Sequence, residues 1–523
     1  MVPERPTYIG CAQILSNKML LEEVVPASML HRIIQAKEVI LQSEKALAIS
    51  HIDADGISAL SIVVTMLERA NVEVVWKNIH QLNSETIQEV RNLVEENRPD
   101  LLILSDLGTG QMELVESTVA PEEYLNWIVV LDHHLPSEER TGPASSHLGN
   151  KIIEINPCQH GLDGGYDISG AGVAFLLALS ISSDNADLSE LAVVGATGDL
   201  QDYYGKGFRN VNRAIVQIGE DAGLVKVDRD LTFFGTNTRP LPYLLEYATE
   251  PYLPGLTGNS ESCFVFYDDL EIPLRDEDDQ WRMWTDLENE EKQKVIHGLF
   301  SHILETYDNP RVAEGIVGDV VSLVRRPPRT EMRTAKEFST LLNACGRNRR
   351  PEVGVMICLG NEDAFQQGRT LLREHRANLA SALRRLETDG YLEEEGMYVV
   401  RDPETPDTII GVVIGMAQGS RIVPTDRPII GVSTNTSSEG PLVKISGRAR
   451  GALVERGVNL RDAFVSVGEA MNGEHKEQVV EAGGHPMAAG AFVHTDYLDE
   501  FLKRVSVFLA QSLGEEKRRE MGE

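Results

Sequence analysis

The stretch ALAISHIDADG, residues 46–56, decides the fold class because an apolar run passes directly into a polar cluster that ends in glycine. We predict a buried β-strand over the apolar run and, after Gly56 has allowed the backbone to turn, a helix over residues 57–70. The polar side chains that could bind a metal alternate along the cluster: His51, Asp53 and Asp55. An extended chain would place all three on one face, although the same pattern is also typical of a turn that caps a helix.

Three further polar clusters are predicted where a strand ends, namely SDLG (105–108), LDHH (131–134) and GDLQD (198–202). In an open parallel α/β sheet the carboxyl ends of the strands form one edge, where ligands bind. We therefore expect the acidic and imidazole side chains of all four clusters to converge: His51, Asp53, Asp55, Asp106, Asp132, His133, His134 and Asp199. Carboxylates this dense repel one another unless cations neutralise them, so the sequence predicts a metal site that holds two metals.

The clusters differ in how specific they are. Asp106 alone would be interpreted as a helix N-cap, and its place after a central strand is what favours a metal-bridging role. Asp132 is followed by two histidines directly after a buried strand, and burying these three polar side chains without a function would cost free energy. The motif therefore favours a metal or phosphate role. Gln201 and Asp202 could support Asp199 or could simply begin a helix. We expect the whole site to be polar and to face solvent.

Strands and helices alternate from about residue 45 to residue 200, which predicts an α/β fold with a parallel sheet covered on both faces. The further strand candidates are VEVVWKNI (72–79), LLILSDL (101–107), WIVVLDH (127–133) and KIIEIN (151–156), and the further helix candidates are 84–96 and 172–180.

The region after residue 226 differs. It carries the acidic tract DDLEIPLRDEDD (268–279) and an amphipathic pattern near 288–307, which favour a small helical insertion. RRPPRTEMR (325–333) is interpreted as a linker because its two prolines exclude a helix.

A second α/β unit is predicted over residues 408–509. The strand candidates or strand–helix junctions are VGVMICLG (353–360), just before this unit, and TIIGVVIGMAQ (408–418), PIIGVST (428–434), LVKISGRA (442–449) and AGAFVH (489–494) within it. We predict a catalytic domain over 1–226, whose first 30 or so residues could be an extension, a helical insertion domain over 227–340, and a linker helix with a smaller C-terminal α/β domain over 341–523.

Composition limits the possible functions. The chain has 523 residues and a net charge of −32, from 49 Lys+Arg against 81 Asp+Glu, which argues against nucleic-acid binding by the whole surface but leaves room for a local basic groove. Its five cysteines are scattered, which favours reduced thiols in a cytoplasm.

The run GAGVAFLLALSI (170–181) is too short to cross a membrane and is predicted as a core helix. We expect a cytoplasmic protein with no membrane partner.

Two basic clusters could hold a phosphodiester backbone. Arg448 lies in KISGRARG, just upstream of GGHPMAAG. In the second segment Gly483 and Gly484 leave the backbone accessible to a phosphate before His485. Arg347 lies near Asn343 in LLNACGRNRR. Solvated strand edges and a glycine-rich turn remain the alternative interpretation.

The four polar motifs in this order, with the distal GGH, resemble the DHH phosphoesterase superfamily. The chain resembles the RecJ branch of this superfamily in four further segments, ISGAGVAF, LLNACGR, TIIGVVIGMAQ and SGRA, and in having the insertion. The insertion most closely resembles that of the archaeal RecJ-like, GINS-associated nuclease. The resemblance implies a DHH domain with two Mn²⁺ or Mg²⁺ ions and a DHH-associated C-terminal domain that grips a single strand in a narrow cleft. It also implies a GINS-type replication partner bound through the insertion.

The resemblance further implies roles for individual residues. One ion would take Asp55, Asp106, His133 and Asp199, and the other would take His51, Asp53 and Asp106. Asp132, His133 and His134 would form the catalytic set, with Asp132 and His134 orienting ligands or contacting the scissile phosphate. The substrate-binding set would be His134, Asn343, Arg347, Arg448, Gly483, Gly484 and His485. One departure is His51, where bacterial RecJ proteins usually carry an aspartate.

Three functions follow from these patterns. The first is a single-strand-specific exonuclease that hydrolyses DNA, with RNA left open, in replication or repair. The second is a phosphoesterase for small substrates such as oligoribonucleotides or cyclic dinucleotides, although such chains are usually shorter. The third is a replisome scaffold without activity, which the intact acidic motifs argue against.

Overall fold

The computed structural model describes residues 21, 23–136, 151–202, 206–248, 253–306, 313, 315–420, 422–434 and 441–520, with the side chains of 306 and 514–520 left out. Most of the suggested N-terminal extension therefore lies outside the described residues. The chain divides into two compact units, the first made of residues 1–248 and 253–372 and the second of 249–252 and 373–523.

The first unit is built on a parallel five-stranded sheet in the order β2-β1-β3-β4-β5. Its strands are β1 (Lys45–His51), β2 (Glu73–Ile79), β3 (Leu101–Ser105), β4 (Trp127–Leu131) and β5 (Ile152–Ile155). β2 to β5 lie within the stretches predicted as strands, and β1 extends the predicted run 46–50 by one residue at each end, so the prediction of a parallel α/β sheet is confirmed. All five carboxyl ends therefore lie at one edge of the sheet.

Both faces of this sheet are covered, as expected from its nearly continuous apolar strands. The helices of the first unit are α1 (Ala27–Ile40), α2 (Ala54–Arg69), α3 (Thr86–Asn97), α4 (Met112–Thr118), α5 (Gly170–Ile181), α6 (Ser189–Gly198) and α7 (Asn210–Asp221), followed in the insertion by α8 (Leu241–Glu246), α9 (Ser260–Asp269) and α10 (Asn289–Thr306), and then by α11 (Ala335–Arg347), α12 (Pro351–Cys358) and the first part of α13 (Glu362–Asp389). Alternate residues of one strand enter different cores: Ala46 and Ala48 pack in one, and Leu47 and Ile49 in the other.

The insertion has its own apolar core, around the fully buried Trp284 and Tyr267. An antiparallel pair of strands, β6 (Val225–Leu231) and β7 (Val317–Leu323), brackets it. The expected helical insertion is therefore present, and the strand pair that frames it was not predicted. The predicted boundary at residue 341 falls inside α11, which packs with the core of the first unit.

The second unit contains a mixed six-stranded sheet in the order β12-β13-β11-β10-β9-β8, in which only β9 and β10 pair in parallel. Its strands are β8 (Leu392–Glu393), β9 (Tyr398–Arg401), β10 (Ile429–Ser433), β11 (Leu442–Arg448), β12 (Val480–His485) and β13 (Ala488–His494). Its helices are the end of α13, α14 (Asp407–Gly419), α15 (Gly451–Glu455), α16 (Leu460–His475) and α17 (Leu498–Glu520). The smaller C-terminal α/β unit is thus confirmed.

Three apolar runs are helices where strands had been predicted. VGVMICLG lies largely in α12, TIIGVVIGMAQ in α14, and the run LAVVGAT before Asp199 in α6. Periodicity alone does not distinguish a short buried strand from a buried helix, and all three helices bury most of their surface. Pro351 at the first position of α12 and Pro406 just before α14 were the available helix-start signals.

None of the helices among the described residues combines the length and the apolar composition that a membrane span requires. The cytoplasmic location stays a prediction.

Gly346 allows α11 to lie directly against the loop that carries the first polar cluster. A Cβ atom at this position would lie 1.9 Å from the backbone oxygen of Ile52. We expect Gly346→Ala to destabilise the fold by about 1–3 kcal/mol, because backbone atoms on both sides must move apart. Denaturant unfolding measures this effect. Gly473→Ala is the matched control, since no atom lies within 4 Å of a Cβ there, and we expect it to stabilise α16 by roughly 0.5 kcal/mol. Equal stability of the two variants would contradict the close packing of α11.

Candidate metal centre

The candidate metal centre lies at the carboxyl edge of the first sheet. His51 is the last residue of β1, Asp106 follows β3, and Asp132 follows β4. Asp199 comes instead from the C-terminal end of α6. The possible ligand atoms form three groups, each with all atoms within 4.8 Å of one another: Asp55, His133 and Asp199; His51, Asp53 and Asp106; and Asp106, His133 and His134.

Asp55 is buried in the first turn of α2 and is held by the N-terminus of α5. Its two oxygens accept hydrogen bonds from the backbone N–H groups of Gly170 at 2.7 Å and Ala171 at 3.1 Å. The dipole and unpaired N–H groups of a helix N-terminus favour a negative charge, which offsets part of the cost of burial. Burial and the neighbouring Asp106 nevertheless raise the pKa of Asp55 well above its ordinary value. A cation beside Asp55 would remove this penalty.

His133 is buried with its two ring nitrogens in different surroundings. Nδ1 lies 2.6 Å from the carbonyl oxygen of Gly164, which can only accept, so Nδ1 carries a proton. In the neutral ring Nε2 presents a lone pair toward Asp106 Oδ1 at 3.2 Å and Asp55 Oδ2 at 3.6 Å. A carbonyl partner of this kind fixes the tautomer of metal-binding histidines. Burial lowers the pKa of His133, but Asp106, Asp199 and Asp55 raise it well above its ordinary value.

Asp53 uses its two oxygens differently. Oδ1 accepts a hydrogen bond from Gly56 N at 3.0 Å and thereby caps α2. Oδ2 lies 3.0 Å from His51 Nδ1, which is also 3.6 Å from Asp106 Oδ2. The carbonyl oxygen of His51 accepts a hydrogen bond from Asn78 Nδ2. The sequence left helix capping and metal binding as alternatives for this cluster. Asp53 can do both, because each function uses a different oxygen.

Asp132 is buried and accepts hydrogen bonds on both oxygens. Oδ2 accepts from Thr109 N at 2.9 Å, and Oδ1 accepts from His133 N at 2.8 Å and from His134 N at 3.2 Å. His134 Nδ1 also lies 2.8 Å from Oδ1. Burial would raise the pKa of Asp132, but the two histidines and the Thr109 amide hold it well below its usual range. Asp132 therefore orients the histidine pair.

The expectation that the whole site faces solvent was wrong. Asp132 and His133 are only 1% and 6% exposed, whereas the side chain of His134 is 44% exposed. The sheet edge buries the residues that follow β4 directly, and the chain emerges at the second histidine.

Gln201 supports Asp199 rather than beginning a helix. Its Nε2 donates to Asp199 Oδ2 at 2.8 Å and to the carbonyl oxygen of Gly164 at 2.8 Å. Its Oε1 accepts from Asn212 Nδ2 at 2.7 Å. The same carbonyl thus links Asp199 and His133, so both side chains depend on the position of one loop.

The donor set fits a hard divalent cation. Asp106 Oδ1 is buried and accepts no hydrogen bond from the part of the chain that the structure describes. It lies 3.2 Å from Nε2 of His133, and the raised pKa of that histidine favours a proton between the two atoms, a place that a divalent cation could take. Carboxylate oxygens suit Mg²⁺, and Mn²⁺ also accepts imidazole. The cluster could therefore hold divalent metal ions.

Sequence analysis missed the residues that hold the ligands in place. They contribute backbone or amide groups: Asn78 from β2, Asn212 from α7, and Thr109, Asn156 and Gly164 from the segments that connect strands and helices. Asn156, for example, donates to Thr109 Oγ1 at 3.0 Å and to the carbonyl oxygen of His134 at 2.8 Å. The available signal was the glycine pair Gly164–Gly165, since a Cβ at Gly164 would lie 1.8 Å from the carbonyl oxygen of His133.

Two of the expected substrate-binding residues lie beside this centre. Asn343 Oδ1 accepts a hydrogen bond from Ala54 N at 3.0 Å and so holds the start of α2. Arg347 is in the last turn of α11; burial lowers its pKa, and Asp53 counteracts that shift. Their contact with a substrate stays a prediction.

Apart from His134, which belongs to the centre itself, the other expected substrate-binding residues lie in the second unit. Ala488 of β13 pairs with Arg448 on one side and with His485 on the other, which places these two in one row across three strands. Gly483, Gly484 and His485 are exposed at the end of β12. Phosphate binding by this row stays a prediction.

Three family descriptions match successive parts of the chain: "DHH family, N-terminal domain" over residues 45–198, "DHH-CID domain" over 233–317 and "DHHA1 domain" over 398–511. The uncharacterized protein MJ0831 of Methanocaldococcus jannaschii is 30% identical over 465 residues, which are 89% of this chain and 93% of that protein. RecJ, the single-stranded-DNA-specific exonuclease of Bacillus subtilis, is 27% identical over 191 residues, 35% of this chain and 22% of that protein. The chain is a RecJ-like member of the DHH family.

Solved structures agree with this RecJ-like fold. The crystal structure of RecJ in complex with Mn²⁺ from Thermus thermophilus matches with a TM-score of 0.55 and 16% identity, over 93% of this chain and 55% of that one. CDC45 from Entamoeba histolytica matches with a TM-score of 0.57 and 13% identity, over 96% of this chain and 99% of that one. The RecJ-like chain thus spans about half the length of the Thermus protein.

Because the carboxylates repel one another, Asp106→Asn should leave the metal-free protein at least as stable as the wild type. Metal at about 100 times its dissociation constant stabilises a fold by about 2.7 kcal/mol, and we expect the variant to lose more than half of the Mn²⁺-dependent gain. Thermal unfolding with and without Mn²⁺ measures both quantities. The exposed Asp363→Asn is the matched control. A full Mn²⁺-dependent gain in Asp106→Asn would argue against Asp106 as a ligand.

Lys444 gives a prediction for the second unit. Its Nζ lies 4.3 Å from the Phe492 ring centroid. Burial lowers the pKa of Lys444 to about 8; Arg448 also lowers this pKa, whereas Asp407 and Glu481 raise it. Between about pH 8 and 10.5 the unfolded chain therefore binds more protons than the folded chain. The protonated lysine destabilises the folded state fully below pH 8, and this destabilisation decreases as the pH rises.

We therefore expect Lys444→Met to be about 2 kcal/mol more stable than the wild type at pH 7, with a difference that shrinks toward pH 10. Urea unfolding of both proteins at pH 7, 8.5 and 10 measures it. Lys503→Met, at an exposed position of α17, is the control. A pH-independent difference would refute the role of charge.

Proposed function

We propose that this RecJ-like protein is a metal-dependent exonuclease that hydrolyses phosphodiester bonds of single-stranded DNA in replication or repair, with RNA as the second substrate to test. The observation that carries the proposal is the convergence of acidic and imidazole groups into three overlapping clusters at one sheet edge. The family membership supports phosphoester hydrolysis as the chemistry of such a site.

We further propose two divalent cations, Mn²⁺ or Mg²⁺, with Asp106 shared between them. Asp106 directs Oδ1 toward His133 and Oδ2 toward His51, so each oxygen belongs to a different cluster. One ion would be held by Asp55, Asp106, His133 and Asp199, and the other by His51, Asp53 and Asp106. The ions would activate a water and neutralise negative charge that develops on the phosphate.

The residues of the chain have distinct tasks in this mechanism. Asp132 keeps the imidazoles oriented through its hydrogen bonds to both histidines. His134 is partly exposed and has Nδ1 at Asp132, so its Nε2 is the atom that would contact the scissile phosphate. Arg448 and His485 would hold phosphates through the second unit, with Gly483 and Gly484 offering backbone N–H groups. Asn343 and Arg347 would hold the strand beside Asp53.

A partner surface on the insertion is part of the proposal. Trp281 packs with Tyr243 and Phe264 at ring-centroid distances of 6.0 Å, and the Arg275 guanidinium lies 4.1 Å from its ring. Tyr247 stacks on Tyr243 and is 52% exposed. Aromatic residues and arginine dominate protein–protein hot spots, so this surface suits a GINS-type replication protein. A small-substrate phosphoesterase would have no evident use for it.

Digestion of one oligonucleotide set tests the proposed function. We expect Mn²⁺- or Mg²⁺-dependent shortening of single strands, labelled at either end, and no cleavage of blunt duplexes. His133→Ala should reduce kcat by roughly 100- to 1,000-fold, whereas His297→Ala, at an exposed position of α10, should not. Arg448→Ala should raise KM more than it lowers kcat, with Arg384→Ala as its control.

Hydrolysis confined to dinucleotides would favour the small-substrate phosphoesterase instead. Absence of hydrolysis with both metals would favour the scaffold.

A further inference from the structure

Leu200 occupies a backbone position that favours glycine. It follows Asp199 at the end of α6 and has a φ of 59°. Leu200 N donates to Thr197 O at 3.1 Å, and Gln201 N donates to Ala196 O at 2.9 Å, which closes the helix in the usual C-terminal turn. Glycine is the common residue there because a Cβ atom strains the left-handed backbone.

Packing does not explain why a leucine stands at this position. Its side chain is 54% exposed, so the strained residue adds little to the apolar core. The neighbouring ligand Asp199 needs the turn but not the leucine, because any residue in this conformation would close it.

Two other residues with exposed apolar side chains are connected to the same centre, one through the chain and one through a hydrogen bond. Leu135 follows His134 and is 52% exposed, and Tyr166 is 39% exposed. Asn212 links Tyr166 to the Leu200 turn, since its Nδ2 donates to Gln201 Oε1 at 2.7 Å and approaches Tyr166 O at 3.5 Å. Single exposed apolar residues are ordinary. We call these three residues the apolar rim, since Leu200 and Leu135 directly follow Asp199 and His134 in the chain and Tyr166 is joined to Gln201 through Asn212.

We propose that the apolar rim, with Leu200 as its main element, contacts the nucleobase of the nucleotide whose phosphate is cleaved. This inference rests on the proposed function. A nucleotide held by its phosphate carries a flat apolar base a short distance away, and contact with the face of a base tolerates any sequence. The rim would therefore position the terminal nucleotide without selecting a base.

The test compares single strands that differ only at the terminal nucleotide, which carries either a natural base or an abasic tetrahydrofuran sugar, at each end in turn. For the wild type we expect kcat/KM to be roughly tenfold higher with the base at the digested end. In Leu200→Gly this ratio should fall toward one, and in Leu200→Phe it should persist. Leu200→Gly should also have a Tm at or above that of the wild type, because glycine suits the left-handed backbone.

Arg98→Gly is the matched control. Arg98 also ends a helix with a left-handed backbone, at a φ of 46°, but it precedes β3 and so lies at the opposite edge of the sheet. We expect it to keep the wild-type ratio.

Each outcome bears on a different claim. A preserved ratio in Leu200→Gly, or a wild type that digests the abasic and natural ends equally well, would overturn the role of the apolar rim and leave the proposed function intact. A lower Tm in Leu200→Gly would show that the side chain serves the fold, and would also overturn it. A wild type that digests no oligonucleotide would overturn both proposals.

Discussion

The repulsion among buried carboxylates at the carboxyl edge of the first sheet is the constraint on which the rest of the site depends. Asp55 and Asp106 are both almost fully buried, and each has an oxygen within 3.6 Å of the same nitrogen of His133. The fold stabilises Asp55 with fixed dipoles, since the N-terminus of α5 donates two backbone N–H groups to it, whereas Asp106 Oδ1 accepts no hydrogen bond among the described residues. These dipoles offset only part of the charge, and a divalent cation would offset the remainder.

Much of this arrangement could be predicted from the sequence because it depends on local patterns. Continuous apolar runs gave the parallel strands, and their ends located Asp106 and Asp132. Asp199 was also expected at the site, although its apolar run forms a helix. Asp199 nevertheless lies near Asp55 and His133, because a buried helix can end at the same edge of the sheet as a buried strand.

The rest depends on contacts between residues far apart in the chain. Gly164 fixes the tautomer of His133 from 31 positions away, and Asn343 holds the start of α2 from 289 positions away. Such pairs leave no periodic pattern in the sequence, and side-chain amides and backbone carbonyls carry no distinctive signal. The same limit applies to β6 and β7, which pair across the whole insertion. Burial of Asp132 and His133 was missed for a related reason, since polar residues are expected at the surface unless their partners are known.

Backbone conformation adds a second link between the sheet edge and the chemistry. Asp106 and Leu200 both have a left-handed backbone, with φ values of 58° and 59°. Aspartate tolerates that region because its short side chain can interact locally, whereas leucine does not. The turn at Asp106 is required to direct a carboxylate into the cluster, so its strain is explained by the site. The strain at Leu200 has no such explanation within the fold, and residues strained next to a reactive centre are typical of contacts made with a substrate.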